Sequence, residues 1–390
     1  MGTRTIVALS VLLLTIPVSF AATQKVLYTF TGGADGGQPY AGVVFDSAGN
    51  LYGVTQFGGL YGQGTVFQLT PSPDGTWTET VLYNFTGGAD GAMPVGGLGI
   101  DGSGNLYGSA INGGDPSAQC GTLFRLSPSE SGWTFSVTHT YLGAPQDGCA
   151  PASNDTTVAG GENNQGAGWG DHGLYSFGGS GGSQPWGDTN WDYGTAFSGG
   201  AHGLGTLYYL KFYCPDSSPE QKCRKSVVPI HAFAGGKNGA HPLGNLLAFK
   251  YGTLIYGTAT VGGVANHGIV YQMSQKPTGG WKFSAMYRFS GHDGDSPSAG
   301  VIADASGNFY GTTTWGGSDP GYDGTVFKLT PGVNKHGKPI WNLTTLYNFT
   351  GGADGGEIYS GVIFDDAGNL YGTTVSGGAY NQGVVYEIIP

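Results

Sequence analysis

Positive charge is scarce in this chain of 390 residues. Fifteen Lys and Arg stand against 26 Asp and Glu, a net charge of −11, and only 11% of residues are charged. A nucleic-acid partner is thereby excluded, because its phosphates demand a basic face. Helix signals are nearly absent too: no stretch sustains apolar residues at spacings of three and four. Cysteine is limited to four residues, and long apolar runs to one. No nucleophile elbow, phosphate loop or dinucleotide fingerprint occurs.

The one apolar run, residues 6–14, follows Arg4 and precedes Ser19-Phe20-Ala21. That is the pattern of a secretory signal over residues 1–21, too short for a normally flanked bilayer span. The expectation is a soluble exported monomer, extracellular or periplasmic, with no membrane span and with residues 22–390 as one domain.

What is abundant is glycine, 76 residues of it, among 13% aromatic residues. The glycines fall at fixed places, so they punctuate short strands rather than mark disorder. The chain repeats itself. Its first copy carries Gly32-Gly33-Ala34-Asp35-Gly36, Pro39, Gly42-Val43-Val44-Phe45-Asp46, Gly49-Asn50-Leu51-Tyr52-Gly53, Gly58-Gly59 and Gly64-Thr65-Val66-Phe67-Gln68-Leu69. The tyrosine of the Leu-Tyr-Gly element is placed at Tyr52, Tyr107, Tyr175, Tyr256, Tyr310 and Tyr371, which makes six copies. The third and fourth are degenerate.

Each copy holds four strand-like runs: a (Gly-Val-Val-Phe), b (Asn-Leu-Tyr-Gly-Thr-Thr), c (Gly-Thr-Val-Phe-Lys-Leu) and d (Trp-x-x-x-x-Leu-Tyr-x-Phe). Short runs rich in Val, Tyr, Phe and Thr, bounded by Gly, Asp and Pro, read as strands. The expected fold class is all-β, a six-bladed β-propeller of four-stranded blades. A strand d at residues 26–30 opens the mature part, whereas the sixth copy ends after its strand c. Residues 26–30 should therefore pair with 383–388, closing the ring and hiding both edges. A β-solenoid is the structural alternative.

Gly-Gly-Ala-Asp-Gly, Gly-Asn-Leu-Tyr-Gly-Thr-Thr and Gly-Thr-Val-Phe-x-Leu resemble the Gloeo–Verruco (GloVer) tandem-repeat family of exported bacterial proteins, over nearly the whole mature chain. The resemblance implies export and fold, and it transfers no catalytic residue.

Four cysteines in an exported chain imply two disulfides. Cys214 and Cys223 share the c–d loop of the third copy. Cys120, in a b–c loop, and Cys149, on a d–a connection, would meet on one face. The expected bridges are Cys120–Cys149 and Cys214–Cys223.

Function on a rigid scaffold sits in loops that break the consensus. The largest break is in the third copy and is assigned to its b–c connection, with Trp186, Asp188, Trp191, Asp192 and Tyr193. Their aromatic faces suit sugar rings. On the same face His202, His241, His267 and His292 are expected over the third to fifth blades. Imidazoles and carboxylates so placed could exchange protons or hold a divalent metal, the one cofactor considered. The recurring Asp35, Asp90, Asp147, Asp293 and Asp354 suit turn bonding better than chemistry. Three functions follow: a non-catalytic propeller binding glycan or a surface partner, a polysaccharide lyase or hydrolase using the His/Asp group, and a structural repeat protein.

Overall fold

The computed structural model describes residues 22–143, 192–213, 224–249, 252–318 and 321–390. Among them the chain is all-β, built as six antiparallel sheets of consecutive strands in the order a-b-c-d. The first sheet runs Val44–Phe45, Leu51–Thr55, Thr65–Pro71 and Trp77–Asn84. The second, fourth and fifth repeat this plan with four strands each, and the third shows Asp192–Ala196, Thr206–Tyr213 and Arg224–Ala232. The sixth takes Ile363–Phe364, Leu370–Thr374 and Val384–Ile389 from the end of the chain. Its fourth strand is Thr23–Thr29, antiparallel to Val384–Ile389 with Thr23 opposite Ile389 and Thr29 opposite Val384. The expected pairing of the chain's two ends is present.

Sequence explains each sheet locally. Gly53 of Leu-Tyr-Gly lies beneath the ring of Phe67 on strand c, where a Cβ would come within 2.5 Å of the ring's Cζ. The same glycine recurs under Phe124, Tyr208, Tyr271, Phe327 and Tyr386. The a–b turn is held by Asp46, whose carboxylate accepts from the backbone N–H groups of Ala48 and Asn50, the Asn50 amide and the Tyr52 hydroxyl. Asp101, Asp304 and Asp365 repeat that turn. On the d–a connections Asp35, Asp90, Asp293 and Asp354 each accept a hydrogen bond from a strand-d tyrosine, at 3.1, 2.9, 2.5 and 3.1 Å. These aspartates are turn residues; Asp147 lies outside the described residues.

Among the described residues, neighbouring sheets pack on one another at five junctions. Five apolar clusters straddle the first and second sheets, third and fourth, fourth and fifth, fifth and sixth, and sixth and first. Last-on-first contact makes the arrangement propeller-like. Threonine hydroxyls of strand b tie three junctions: Thr258 to the carbonyl of Ala299 at 2.8 Å, Thr312 to Ser360 at 2.6 Å and Thr373 to Ala41 at 2.8 Å.

A second tie is an interlock. The glycine before strand c in one sheet receives the proline that leads into the next: Gly64 with Pro94, Gly205 with Pro242, Gly268 with Pro297 and Gly383 with Pro39. The residue before each of those prolines sits at positive φ without being glycine. Gln38, Met93, His241 and Ser296 do so, and Glu357 takes that place before Ile358, all with φ between 53° and 56°. Their N–H groups donate to the carbonyls of Gln382, Gln63, Leu204, His267 and Asp323 of the preceding sheet, which holds them in a conformation that ordinary side chains disfavour.

One position of the third copy is corrected. Its strand b is Asp192–Ala196, so the repeat tyrosine is Tyr193 and not Tyr175. Tyr193 stands twelve residues before Gly205, as Tyr52 stands twelve before Gly64. The long insertion therefore precedes strand b, and the b–c loop of this copy is the short segment 197–205.

Along strand d the junctions carry stacked rings: Tyr83 on Phe135 at 3.8 Å and His231 on Phe283 at 4.4 Å. Where the sixth sheet meets the first, the corresponding position is Glu79, opposite Leu69 as Phe135 is opposite Leu126. Burial, then the negative charge of Asp35, pushes the Glu79 carboxyl up to about 7, and its buried Oε1 has no hydrogen-bond partner among the described residues. A carboxyl that titrates at 4.5 when unfolded and near 7 when folded favours folding in its protonated form. Its contribution is complete below pH 4.5 and is lost as the pH rises through 7. Solvent reaches the group, so the change should be about 1 kcal/mol. Glu79→Phe is expected to flatten this slope and raise the unfolding midpoint at alkaline pH. Urea melts across the range would contradict this if wild type and variant ran parallel.

Candidate functional site

The d–a connections and b–c loops share one face because their backbones are bonded together. Gly37 and Phe57 exchange hydrogen bonds at 2.9 and 3.2 Å, as do Ala92 with Asn112, Asp295 with Trp315 and Gly356 with Ser376. The expected grouping of these loops is thus present among the described residues.

The four histidines are not gathered into one centre. His241 stacks on Phe197 at 4.5 Å, and its Nδ1 lies 2.9 Å from the Phe197 carbonyl. His267 pairs with Asp295, Nδ1 to Oδ2 at 2.7 Å. His202 and His292 are exposed. Among the described residues no three His, Cys, Asp or Glu side chains form a group that could hold a metal ion.

Asp295 is the partner that sequence reasoning missed. Its other oxygen accepts from the Ser296 hydroxyl at 2.9 Å, so the order is Ser–Asp–His. A serine nucleophile needs its hydroxyl on the imidazole, and here the hydroxyl is on the carboxylate. What the pair can offer is an imidazole fixed by a carboxylate, suited to proton exchange or to a ligand hydrogen bond.

Of the expected aromatic platform, Trp186, Asp188 and Trp191 lie outside the described residues. Asp192 and Tyr193 belong to strand b and not to the b–c loop, which corrects their placement. Tyr193 lies toward the opposite end of the sheet, its hydroxyl 3.0 Å from the carbonyl of Gly252 in the a–b turn of the fourth sheet. It lines a cavity of 480 Å³ with Tyr209, Pro229, Ile230, Gln275 and Trp281. Cys120 is buried and is not a free thiol; Cys149, Cys214 and Cys223 lie outside the described residues.

The face carries an aromatic set that was not singled out from sequence. Tyr61, Trp315, Tyr322 and Tyr380 stand on b–c loops and are 59%, 38%, 55% and 60% exposed, with Leu60 and Val264 beside them in the same class of loop. The signal was available: Gly-Gly-Leu-Tyr-Gly-Gln at 58–63 and Gly-Gly-Ala-Tyr-Asn-Gln at 377–382 repeat one tyrosine. Tyr61 and Tyr380 recur at one loop position and leave more than half of each ring in solvent, so packing accounts for only part of each ring.

The sequence model described as the Gloeobacter/Verrucomicrobia repeat matches residues 16–172 and 220–390. No curated protein matches. Among solved structures, an oxidoreductase (glucose dehydrogenase) from Thermus thermophilus is similar at 12% identity and TM-score 0.48, over 94% of this chain and 100% of that one. A Trypanosoma rangeli sialidase in complex with sialic acid is similar at 10% identity and TM-score 0.35, over 95% of this chain and 59% of that one.

Proposed function

Because the chain belongs to the Gloeobacter/Verrucomicrobia repeat family, and its last sheet packs on its first, we propose an exported, closed six-bladed β-propeller that binds glycan without catalysis. The binding surface is the face of b–c loops and d–a connections. The observation that carries this is the exposed set Tyr61, Trp315, Tyr322 and Tyr380 on a rigid, sparsely charged scaffold. Flat apolar rings beside backbone and amide polar groups are what a pyranose ring requires. A bridge between Cys120 and Cys149 would brace the same face, since Cys120 occupies the position of Gln63 before its strand c.

The test is calorimetric titration of the folded protein with a panel of neutral and charged oligosaccharides. The combined variant Tyr61→Ala, Trp315→Ala and Tyr380→Ala is expected to lose affinity at least about tenfold, as each stacked ring contributes of order 1 kcal/mol. Unchanged binding in that variant, or no binding at millimolar concentration, would overturn the proposal and favour a structural role.

A lyase or hydrolase is the second function to hold in view, supported by the carboxylate-oriented His267. Release of reducing ends from a polysaccharide panel, abolished in His267→Ala, would establish it in place of simple binding.

A further inference from the structure

Where the sixth sheet meets the first, the inner segments carry an aromatic pair beside an acid. Tyr40 and Tyr359 stack with ring centres 4.4 Å apart and planes at 16°. Both remain partly exposed. The junction beneath them is rigid: Thr373 bonds the Ala41 carbonyl at 2.8 Å and the Ser360 hydroxyl at 3.0 Å.

Glu357 stands two residues before Tyr359, at φ 56°. Both of its main-chain groups are committed, the N–H to Asp323 at 3.0 Å and the carbonyl to Val375 at 3.1 Å. The carboxylate therefore leaves a fixed backbone. It has no hydrogen bond and no ion pair among the described residues, and it lies partly buried. Burial first holds both phenols in their protonated form, followed at Tyr359 by the charge of Glu357 and at Tyr40 by the stacked Tyr359 and then by Glu357.

An unpaired carboxylate half-removed from water gains most from a cation, because a charge-assisted hydrogen bond is about twice as strong as a neutral one. Aromatic edges and phenol hydroxyls beside it suit a sugar, and rings near a cation add attraction. Among the described copies the same position holds Gln38, Met93, His241 and Ser296, so among them the acid is particular to the d–a connection of the sixth sheet.

We propose that Glu357, Tyr40 and Tyr359 form a subsite for an amino sugar bearing a free, protonated amine. The ammonium donates to the Glu357 carboxylate, and the pyranose ring lies against the exposed part of the tyrosine pair. This rests on the glycan-binding function proposed above and names the class of glycan.

The experiment compares three oligosaccharides of equal length by calorimetry: glucosamine, N-acetylglucosamine and glucose oligomers. The full chain should bind the free amine at least about tenfold more tightly than either neutral oligomer. Glu357→Gln should erase that preference while leaving neutral binding unchanged; glutamine already occupies the equivalent position 38, so the fold accepts it. Tyr359→Ala should weaken all three. Equal affinity for acetylated and free amines, or a preference that survives Glu357→Gln, overturns the subsite while glycan binding stands. No binding of any of the three overturns the subsite, whereas the wider oligosaccharide panel decides glycan binding itself.

Discussion

Alanine at position 64 should cost about 3 to 5 kcal/mol of stability, far more than a methyl group added to an open loop of this protein. Gly64 has φ 97°, a conformation that penalises any Cβ by about 1–2 kcal/mol. The added carbon would also lie 2.6 Å from Pro94 Cδ and 2.9 Å from the Gln56 carbonyl, with the Thr55 carbonyl closer still. None of these is the free end of a flexible side chain. Two are backbone of the same sheet, and the third is the proline that seats the next sheet. Relief would require the first and second sheets to part. Gly62 supplies the control, with φ 71° and nothing within 4 Å of its would-be Cβ. Gly62→Ala should lose only the backbone penalty, about 1 kcal/mol. Urea unfolding midpoints decide the matter, and equal losses at 62 and 64 would mean that the interlock contributes nothing.

Removing residues 22–30 should be comparably severe. That segment supplies the strand paired with Val384–Ile389 and buries Leu27 and Phe30 against the first sheet. Phe30 is fully buried, its ring 5.1 Å edge-on from Phe67. Loss of a buried phenylalanine alone costs about 3–5 kcal/mol, and a bare strand edge invites pairing between molecules. The shortened chain is expected to unfold at a markedly lower urea concentration and to aggregate. A synthetic peptide of residues 22–31, added in excess, should restore the midpoint. A shortened chain as stable as the full one would show that the last sheet does not depend on its borrowed strand.

The repeat was readable because each of its signature residues meets a steric or turn requirement that recurs. Leu-Tyr-Gly announces strand b since only glycine fits beneath the strand-c ring, and Asp46 announces the a–b turn since its carboxylate gathers that turn's donors. The third copy misled because Leu174-Tyr175 imitates the motif inside an insertion. The correct register comes from pairing: Tyr193 opposite Tyr209 and Gly194 opposite Tyr208 match Tyr52 opposite Gln68 and Gly53 opposite Phe67, whereas tyrosines by themselves are common.

The site was less legible. The pairing of His267 with Asp295 joins loops of different sheets, 28 residues apart, and depends on how the d–a connection folds over its neighbour. The recurrent exposed tyrosines were lost among glycines that serve as punctuation. Most hidden of all were the positive-φ positions. Their residue types share nothing, because the main chain alone performs the recurring task there.

That last property separates scaffold from chemistry within single residues. At Gln38, Met93, His241, Ser296 and Glu357 the amide N–H latches onto the preceding sheet and the side chain is left uncommitted to that contact. A gene encoding such a chain can trade an acid for an amide or a thioether around one surface while the main-chain latch stays as it is; the imidazole of His241 adds its own contact with Phe197. Diversification of what the molecule recognises would then proceed one codon at a time, limited chiefly by exclusion of β-branched residues from the left-handed region.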